Sequence, residues 1–257
     1  MKSNLSLSDK IAVVIGGTSG IGRALSLGLA EAGADVVPSG RRLANIDAVA
    51  VEIEAMGRRT LRKTSNIGNR ESLQQLATAT LEQFERIDIL VNCAAKITRV
   101  PTLEMEEKDW QDIIDTNLTG TFRACQVFGK QMVKQGAGRI INVASLNAFV
   151  ALTEVAAYAA SKAAVVSLTR SLAVEWSKKG VLVNAIAPGV FRTALNANLL
   201  DNTERGRELL MRTPVGRFGR AEELIGAAVF LASDAASFTT GQVIVVDGGF
   251  LASGVNQ

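Results

Sequence analysis

Short apolar runs rich in β-branched residues alternate along the chain with longer segments whose apolar residues recur at helical spacing. The first run, Ile11–Ile15, is apolar throughout, which is typical of a strand buried on both faces. Further strands are predicted at about 35–37, 60–64, 87–91, 139–143, 182–186 and 242–246, and helices at about 23–30, 43–56, 69–85, 107–135, 158–177 and 221–233. This alternation predicts an α/β fold, a doubly wound parallel sheet with helices on both faces.

Composition narrows the classes of protein that fit this pattern. The chain has 257 residues, 47% of them apolar, and we expect a single domain spanning 1–257 with a large core. The net charge is only +3 and the arginines are dispersed, so nucleic-acid binding is not expected. The first apolar run is too short for a signal peptide, and no segment is long enough to span a bilayer. We therefore expect a cytoplasmic protein that binds no membrane.

The absence of one residue type restricts the chemistry. The chain contains no histidine, which excludes Ser-His-Asp and Cys-His catalysis and histidine-ligated zinc, and we expect no metal site. The two cysteines, Cys93 and Cys125, do not make a disulfide framework. Acid–base chemistry near neutral pH must then fall to a tyrosine, lysine, cysteine or carboxylate whose pKa is perturbed.

A glycine-rich turn follows the first strand. Gly16, Gly20 and Gly22 have the spacing G-x-x-x-G-x-G and lead directly into a segment of helical periodicity. Glycines at such a junction let backbone N–H groups approach a pyrophosphate at the helix N-terminus. Many strand–helix connections use glycine for structural reasons alone, so the turn indicates nucleotide binding without establishing it.

The end of the second strand would distinguish NAD from NADP if the chain binds a dinucleotide. An acidic residue at this position would bind the ribose 2′-OH of NAD, whereas an arginine suits the 2′-phosphate of NADP. Gly40 stands where the acid is expected, and Arg41 follows it. NADP(H) is therefore preferred and NAD(H) remains possible; the alternative is an ordinary solvated basic loop. Pro38 cannot donate to a central ladder, so we expect the strand pairing to end there.

Tyr158, the only tyrosine in the chain, precedes Lys162 by four residues. In a helix the two side chains lie on one face. A phenol has a pKa of about 10, and a lysine ammonium beside it lowers that value. A shift to about 7 requires about 4 kcal/mol of differential stabilisation. Ser145 stands at the carboxyl end of a predicted strand, where ligands bind in open α/β sheets. The alternative for Tyr158 and Lys162 is a surface pair on an alanine-rich helix.

Several motifs follow one another in a fixed order: the glycine turn, Asn92-Cys93-Ala94-Ala95, Asn117, Ser145, Tyr158-x-x-x-Lys162, Pro188-Gly189 and Asp247-Gly248-Gly249. With this combination the chain resembles short-chain dehydrogenases/reductases of the single-domain branch, over about residues 8–250. The resemblance implies a Rossmann-type seven-stranded sheet, a nicotinamide cofactor and a homotetramer. It departs from the family where Ile15 replaces a threonine and Cys93 replaces an asparagine; we expect Cys93 to be a small buried hydrophobe.

The resemblance also implies roles for individual residues. Ser145 would bind the substrate carbonyl, Tyr158 would donate the proton, and Lys162 would lower the pKa of the tyrosine. Asn117, the fourth catalytic residue, would hold a water that links Lys162 to solvent. Tyr158 and Lys162 would also contact the cofactor, together with Gly16, Thr18, Ser19, Gly20, Ile21, Gly22, Gly40, Arg41, Arg42, Asn66, Ile67, Asn92, Ala94, Pro188, Gly189, Phe191 and Thr193. The substrate would contact Ser145, Asn147, Tyr158 and Arg192.

The expected function is hydride transfer between NAD(P)(H) and a small secondary alcohol or ketone. A substrate-binding lid at about 190–220 and the C-terminal residues resemble the sugar-acid branch, similar to gluconate 5-dehydrogenase-like proteins. The positive excess of the lid suits an anionic substrate, with Arg192 as the first candidate for binding a carboxylate; the alternative is a mobile helical lid with solvated arginines, some paired to Glu204 or Glu208. Two alternatives remain: a 3-oxoacyl-carrier-protein reductase, and a catalytically silent cofactor-binding regulatory protein on the same fold.

Overall fold

The computed structural model describes residues 4–193 and 196–254, and within these residues it has one six-stranded sheet. The strands are β1 (Ile11–Ile15), β2 (Asp35–Ser39), β3 (Ile89–Asn92), β4 (Gly138–Val143), β5 (Val181–Pro188) and β6 (Val243–Val246). All neighbours are parallel, in the order β2-β1-β3-β4-β5-β6. The α/β fold predicted from the alternation of strands and helices is confirmed.

The helices connect successive strands. They are α1 (Gly20–Glu31), α2 (Leu43–Ala55), α3 (Arg70–Phe84), α4 (Glu107–Ile114), α5 (Gly120–Gln135), α6 (Ala156–Trp176), α7 (Ala197–Leu200), α8 (Glu204–Met211) and α9 (Ile225–Ala232). Within the described ranges, none is both long and apolar enough to cross a bilayer.

The apolar strand residues divide between two cores, one on each face of the sheet. Because successive side chains of a strand point to opposite faces, Ala12 and Val14 of β1 pack against α1, α2 and α9. Val13 and its neighbours Ile11 and Ile15 pack on the other face, against α3, α5 and α6. Both faces are therefore covered, which explains why the strands are apolar throughout rather than alternating.

The sheet differs from the predicted one beside β2. The segment predicted as a strand at about 60–64 runs along the edge of β2 without forming a strand, so the described residues contain six strands rather than seven. Only two backbone bonds join it to this edge: Val36 N–H to Arg59 O at 3.1 Å, and Ser65 N–H to Gly40 O at 2.9 Å.

Pro38 explains the interruption. It lies between Val36 and Gly40 on the outer edge and has no N–H to donate, so the ladder is missing a bond at its centre. The expectation that pairing with β1 ends at Pro38 was wrong: Val14 is opposite Pro38, and Ile15 is opposite Ser39. The strand continues because the missing donor faces the outer edge, while Asp35 donates towards β1, to Lys10 O.

The helix predicted at about 107–135 is interrupted near its centre. A π-helical turn, Asp115–Thr119, connects α4 to α5 and contains Asn117. Such turns inside α-helices are frequent at functional sites. The assignment of the whole chain to one domain with a lid at about 190–220 stays a prediction.

Candidate active site

A cleft of about 790 Å³ opens at the carboxyl ends of the strands. In open α/β sheets this edge is where ligands bind. Most of the residues predicted to contact cofactor or substrate line it: Gly16, Thr18, Ser19, Gly20, Ile21, Gly22, Gly40, Arg41, Arg42, Asn66, Ile67, Ala94, Ser145, Asn147, Tyr158, Lys162, Pro188, Gly189, Phe191 and Thr193. Asn92, Asn117 and Arg192 do not line it.

The glycine turn is held tightly against the sheet. Gly16 has φ +79°, and a Cβ built there would lie 2.7 Å from the backbone of Ala94. At Gly22 an added Cβ would collide with the carbonyl oxygen of Gly16. The hydroxyl of Ser26 donates to Gly17 O at 3.0 Å and braces the turn, although Ile15 provides no hydroxyl there.

These features fit a dinucleotide. Helix α1 begins at Gly20 beside the cleft, and no side chain caps its N-terminus. Its first N–H groups are therefore free to bind phosphate oxygens, and the helix dipole favours a negative charge there. A turn built of glycines leaves the space that a pyrophosphate needs.

The end of β2 presents a basic surface to the same cleft. Arg41 and Arg42 are exposed, and both line the cleft next to Gly40. Neither arginine has a hydrogen bond or ion pair from its side chain to another described residue. Ser65, which sequence reasoning missed, lines this region too; its hydroxyl contacts that of Ser39 at 2.7 Å.

Asn92 lies below the cleft in a buried polar network. Its amide nitrogen donates to Asn142 Oδ1 at 2.9 Å and lies 3.3 Å from the sulfur of Cys125. Asn92 therefore does not reach the cleft, where it was predicted to contact the cofactor. Cys93 does line the cleft and is half-buried; burial raises the pKa of its thiol to about 11, so it is protonated at neutral pH.

Ser145, Tyr158 and Lys162 meet where β4 ends and α6 begins. Ser145 is buried, and its hydroxyl accepts a hydrogen bond from Asn147 N at 3.2 Å. Lys162 is only 3% exposed, and its ammonium donates to Val143 O at 2.6 Å. The same nitrogen lies 5.6 Å from the centroid of the Tyr158 ring. The three side chains thus converge on one end of the cleft.

Burial dominates the electrostatics of this group. It raises the pKa of Tyr158, against the opposing effects of the Ser145 hydroxyl and the Arg99 guanidinium. It also lowers the pKa of Lys162 to about 8. The lowered tyrosine pKa expected from the Tyr–Lys spacing does not hold for the cofactor-free protein, because removal from water outweighs the lowering effects of the Ser145 hydroxyl and the Arg99 guanidinium.

Asn117 is fully buried and connects three segments. Its Oδ1 accepts from Lys96 N at 2.7 Å, and its Nδ2 donates to Lys96 O at 2.9 Å and to Ser161 Oγ at 3.0 Å. Ser161 in turn donates to Tyr158 O at 2.7 Å. Both amide N–H groups are thus used within the protein. The water that Asn117 was expected to hold stays a prediction. Through its bonds to Lys96 and Ser161, Asn117 instead fixes the loop after β3 against α6.

The amide of Asn147 has the opposite character. The side-chain nitrogen, Nδ2, is buried and has no hydrogen-bond partner within the described ranges. The residue nevertheless lines the cleft beside Ser145. An unpaired buried donor costs free energy unless a ligand accepts from it. Asn147 is therefore well placed to donate to a substrate oxygen.

Only some of the arginines near the predicted substrate site line the cleft. Arg192 is on the outside: its guanidinium binds Asp201 at 2.6 and 2.8 Å, and its side chain is 54% exposed. Arg205 of α8 lines the cleft instead, as does Arg99 from the loop after β3. Sequence reasoning missed Arg99. The signal that points to it is its place in the connection that leaves the carboxyl end of a central strand.

Comparison with known proteins agrees with this arrangement. A family model described as enoyl-(acyl carrier protein) reductase matches residues 16–251. The chain is 39% identical over 251 residues to the 2-dehydro-3-deoxy-D-gluconate 5-dehydrogenase of Dickeya dadantii, covering 97% of this chain and 98% of the relative. It is 40% identical over 247 residues to the 3-oxoacyl-[acyl-carrier-protein] reductase of a Synechocystis species, covering 95% and 98%.

A solved structure is similarly close. The crystal structure of a gluconate 5-dehydrogenase from Burkholderia cenocepacia J2315 in complex with NADP and tartrate has a TM-score of 0.94 and 35% identity, covering 98% of each chain. Fold, site and relatives together define a nicotinamide-dependent oxidoreductase that acts on alcohol and carbonyl groups. The chain belongs to the short-chain dehydrogenase/reductase family.

Proposed function

We propose that this protein is an NADP(H)-preferring dehydrogenase that interconverts a secondary alcohol and a ketone on a sugar acid. The observation that carries the proposal is the convergence of Ser145, Tyr158 and buried Lys162 on the cleft that also contains the glycine turn and Arg41. The sugar-acid class is supported by the names of the Dickeya and Burkholderia relatives.

Each residue has a distinct part in this chemistry. When bound, the nicotinamide supplies or accepts the hydride. The hydroxyl of Ser145 accepts from Asn147 N and donates to Asn147 Oδ1 at 3.4 Å; it would turn this hydrogen from Asn147 to the substrate carbonyl oxygen when substrate binds. Tyr158 donates its proton to the same oxygen as negative charge develops there. Lys162, fixed by Val143 O, holds a positive charge next to the phenol.

The preference for NADP(H) rests on Arg41 and Arg42. Both guanidinium groups border the cleft, and within the described part of the chain neither is paired with a carboxylate. A guanidinium binds a phosphate with charge-assisted hydrogen bonds. The cytoplasmic location and the homotetramer implied by the family resemblance stay predictions.

A 3-oxoacyl thioester reductase is the second candidate. The Synechocystis relative carries that name, and Leu152, Leu199, Leu200 and Leu209 give one side of the cleft an apolar lining that suits an acyl chain.

Steady-state reduction with NADPH separates the two candidates. We expect kcat/KM for 5-keto-D-gluconate to exceed that for an acetoacetyl thioester by at least about tenfold, which corresponds to about 1.4 kcal/mol in the transition state. The reverse order would overturn the sugar-acid proposal in favour of the thioester reductase. Reduction of neither substrate would leave the oxidoreductase class intact and contradict both candidates.

A further inference from the structure

Ser26 connects helix α1 to the glycine turn that follows β1. Its side chain is fully buried, and its hydroxyl donates to Gly17 O at 3.0 Å. Gly22, four residues earlier on the same face of α1, lies so close to Gly16 O that a Cβ there would collide with it. One face of the helix is therefore docked on the turn, by the absence of a side chain at Gly22 and by a hydrogen bond at Ser26.

The turn is bonded on both sides of Gly17. Its N–H donates to Ser39 O of β2 at 3.0 Å, whereas its carbonyl oxygen accepts from Ser26. In the described part of the chain this oxygen has no other donor. Gly17 is itself buried, so without the hydroxyl its oxygen would be a buried acceptor that lacks a partner.

The bond to Ser26 also fixes where the next N–H points. The carbonyl of Gly17 and the N–H of Thr18 belong to one planar trans peptide unit, so they point in opposite directions. Because the oxygen points to Ser26, the N–H points away from it, and Thr18 lines the cleft. This N–H has no acceptor among the described residues. A glycine at 17 permits the peptide unit to rotate, so the hydroxyl of Ser26 is what favours this orientation.

The unpaired N–H lies at the end of the cleft where the nucleotide phosphates are expected. A Cβ added at Gly40 would lie 3.0 Å from Thr18 Oγ1, so Thr18 is next to the residue that precedes Arg41. The N-terminus of α1, at Gly20, borders the same space. A backbone N–H in such a turn is a suitable donor to a phosphate oxygen, which carries negative charge.

We propose that Ser26 is a positioning residue for the cofactor: by holding Gly17 O, it presents the N–H of Thr18 to a phosphate oxygen of the dinucleotide. This inference rests on the proposed use of NADP(H), and it adds a residue that does not itself line the cleft. Loss of the hydroxyl would let the Gly17–Thr18 peptide unit rotate towards another donor, which turns the N–H away from the phosphate. Weaker nucleotide binding, with the chemistry at Tyr158 little affected, is the expected consequence.

Titration of NADPH and NADH into wild type and Ser26→Ala, followed by nucleotide fluorescence, measures this effect. We expect the Kd for NADPH to rise about fivefold or more. An equal rise for NADH would assign the N–H to the diphosphate, which both nucleotides carry, and a rise for NADPH alone would assign it to the 2′-phosphate. In steady-state reduction of 5-keto-D-gluconate, KM for NADPH should rise with the Kd, while kcat changes less than about twofold.

Thr80→Val is the matched control. Thr80 is as fully buried as Ser26, but its hydroxyl donates to Leu76 O within α3, on the other face of the sheet. Both variants lose one buried hydroxyl and should lower the thermal midpoint, but only Ser26→Ala should weaken nucleotide binding. A Kd for NADPH within about twofold of wild type in Ser26→Ala, or a similar rise in Thr80→Val, would overturn the inference while the proposed function stands. If wild type bound neither nucleotide, the proposed function would fail with it.

Discussion

At the scale of single residues, we propose that Arg41 decides which nucleotide is preferred. Its guanidinium borders the cleft and has no ion-pair partner among the described residues, so a 2′-phosphate would gain a contact that a 2′-hydroxyl cannot make. We expect Arg41→Ala to raise the Kd for NADPH by about tenfold or more, since a charge-assisted contact contributes about 1.5–3 kcal/mol. The Kd for NADH should change little and serves as the internal control in a fluorescence titration. An equal loss of affinity for NADPH and NADH would show that Arg41 does not bind the 2′-phosphate.

Tyr158 illustrates where residue-level inference from sequence succeeds and fails. The spacing to Lys162 correctly places both side chains on one face of α6, because helical geometry is local. The prediction that the pKa of Tyr158 is lowered was wrong for the cofactor-free protein, where burial raises it. Burial could not be predicted, because it depends on segments far away in the sequence. The position of Arg99 was missed for the same reason: only the fold brings its loop to the cleft.

At the scale of secondary structure, the strands and helices were predictable because each carries its own periodicity and end signals. The exceptions lie where one residue changes the backbone bonding. Pro38 removes a donor from the outer edge of β2, and the expected seventh strand is absent from the described residues. The π-helical turn at Asp115–Thr119 contains weak helix formers, but low helix propensity alone does not distinguish a π-helical turn from an α-helix. Within this turn Asn117 bonds to Lys96 and Ser161, contacts that only the tertiary fold supplies.

At the scale of the whole molecule, the cost of burying Lys162 makes stability depend on pH. The pKa of this lysine is lowered from 10.5 to about 8 in the folded protein. Below about pH 8 both the folded and the unfolded chain carry the charge, and its burial destabilises the fold. Between about pH 8 and 10.5 the unfolded chain binds a proton that the folded chain does not, so this contribution to the free energy of unfolding rises with pH.

Replacing the lysine isolates this contribution. The quantity to compare is the free energy of unfolding of wild type minus that of Lys162→Met. We expect this difference to increase by about 1 kcal/mol from pH 7 to pH 9. Urea denaturation of the cofactor-free protein at one fixed protein concentration measures it, since assembly would add a concentration dependence. Lys178→Met, which removes an exposed charge, should give a curve parallel to wild type. If the free energy of unfolding of Lys162→Met also followed the same pH dependence as wild type, burial would not lower the pKa of Lys162.

The central claim is that Tyr158 supplies the proton in NADPH-dependent reduction of a ketone. Replacement by phenylalanine removes the hydroxyl and keeps the ring that packs in α6, so folding and nucleotide binding should be preserved. The most direct test is kcat for 5-keto-D-gluconate in wild type and Tyr158→Phe, with the Kd for NADPH and the thermal midpoint as controls. We predict a loss in kcat of about 10²–10⁴-fold with both controls nearly unchanged. A variant that kept more than about a tenth of the wild-type kcat would show that Tyr158 is not the acid.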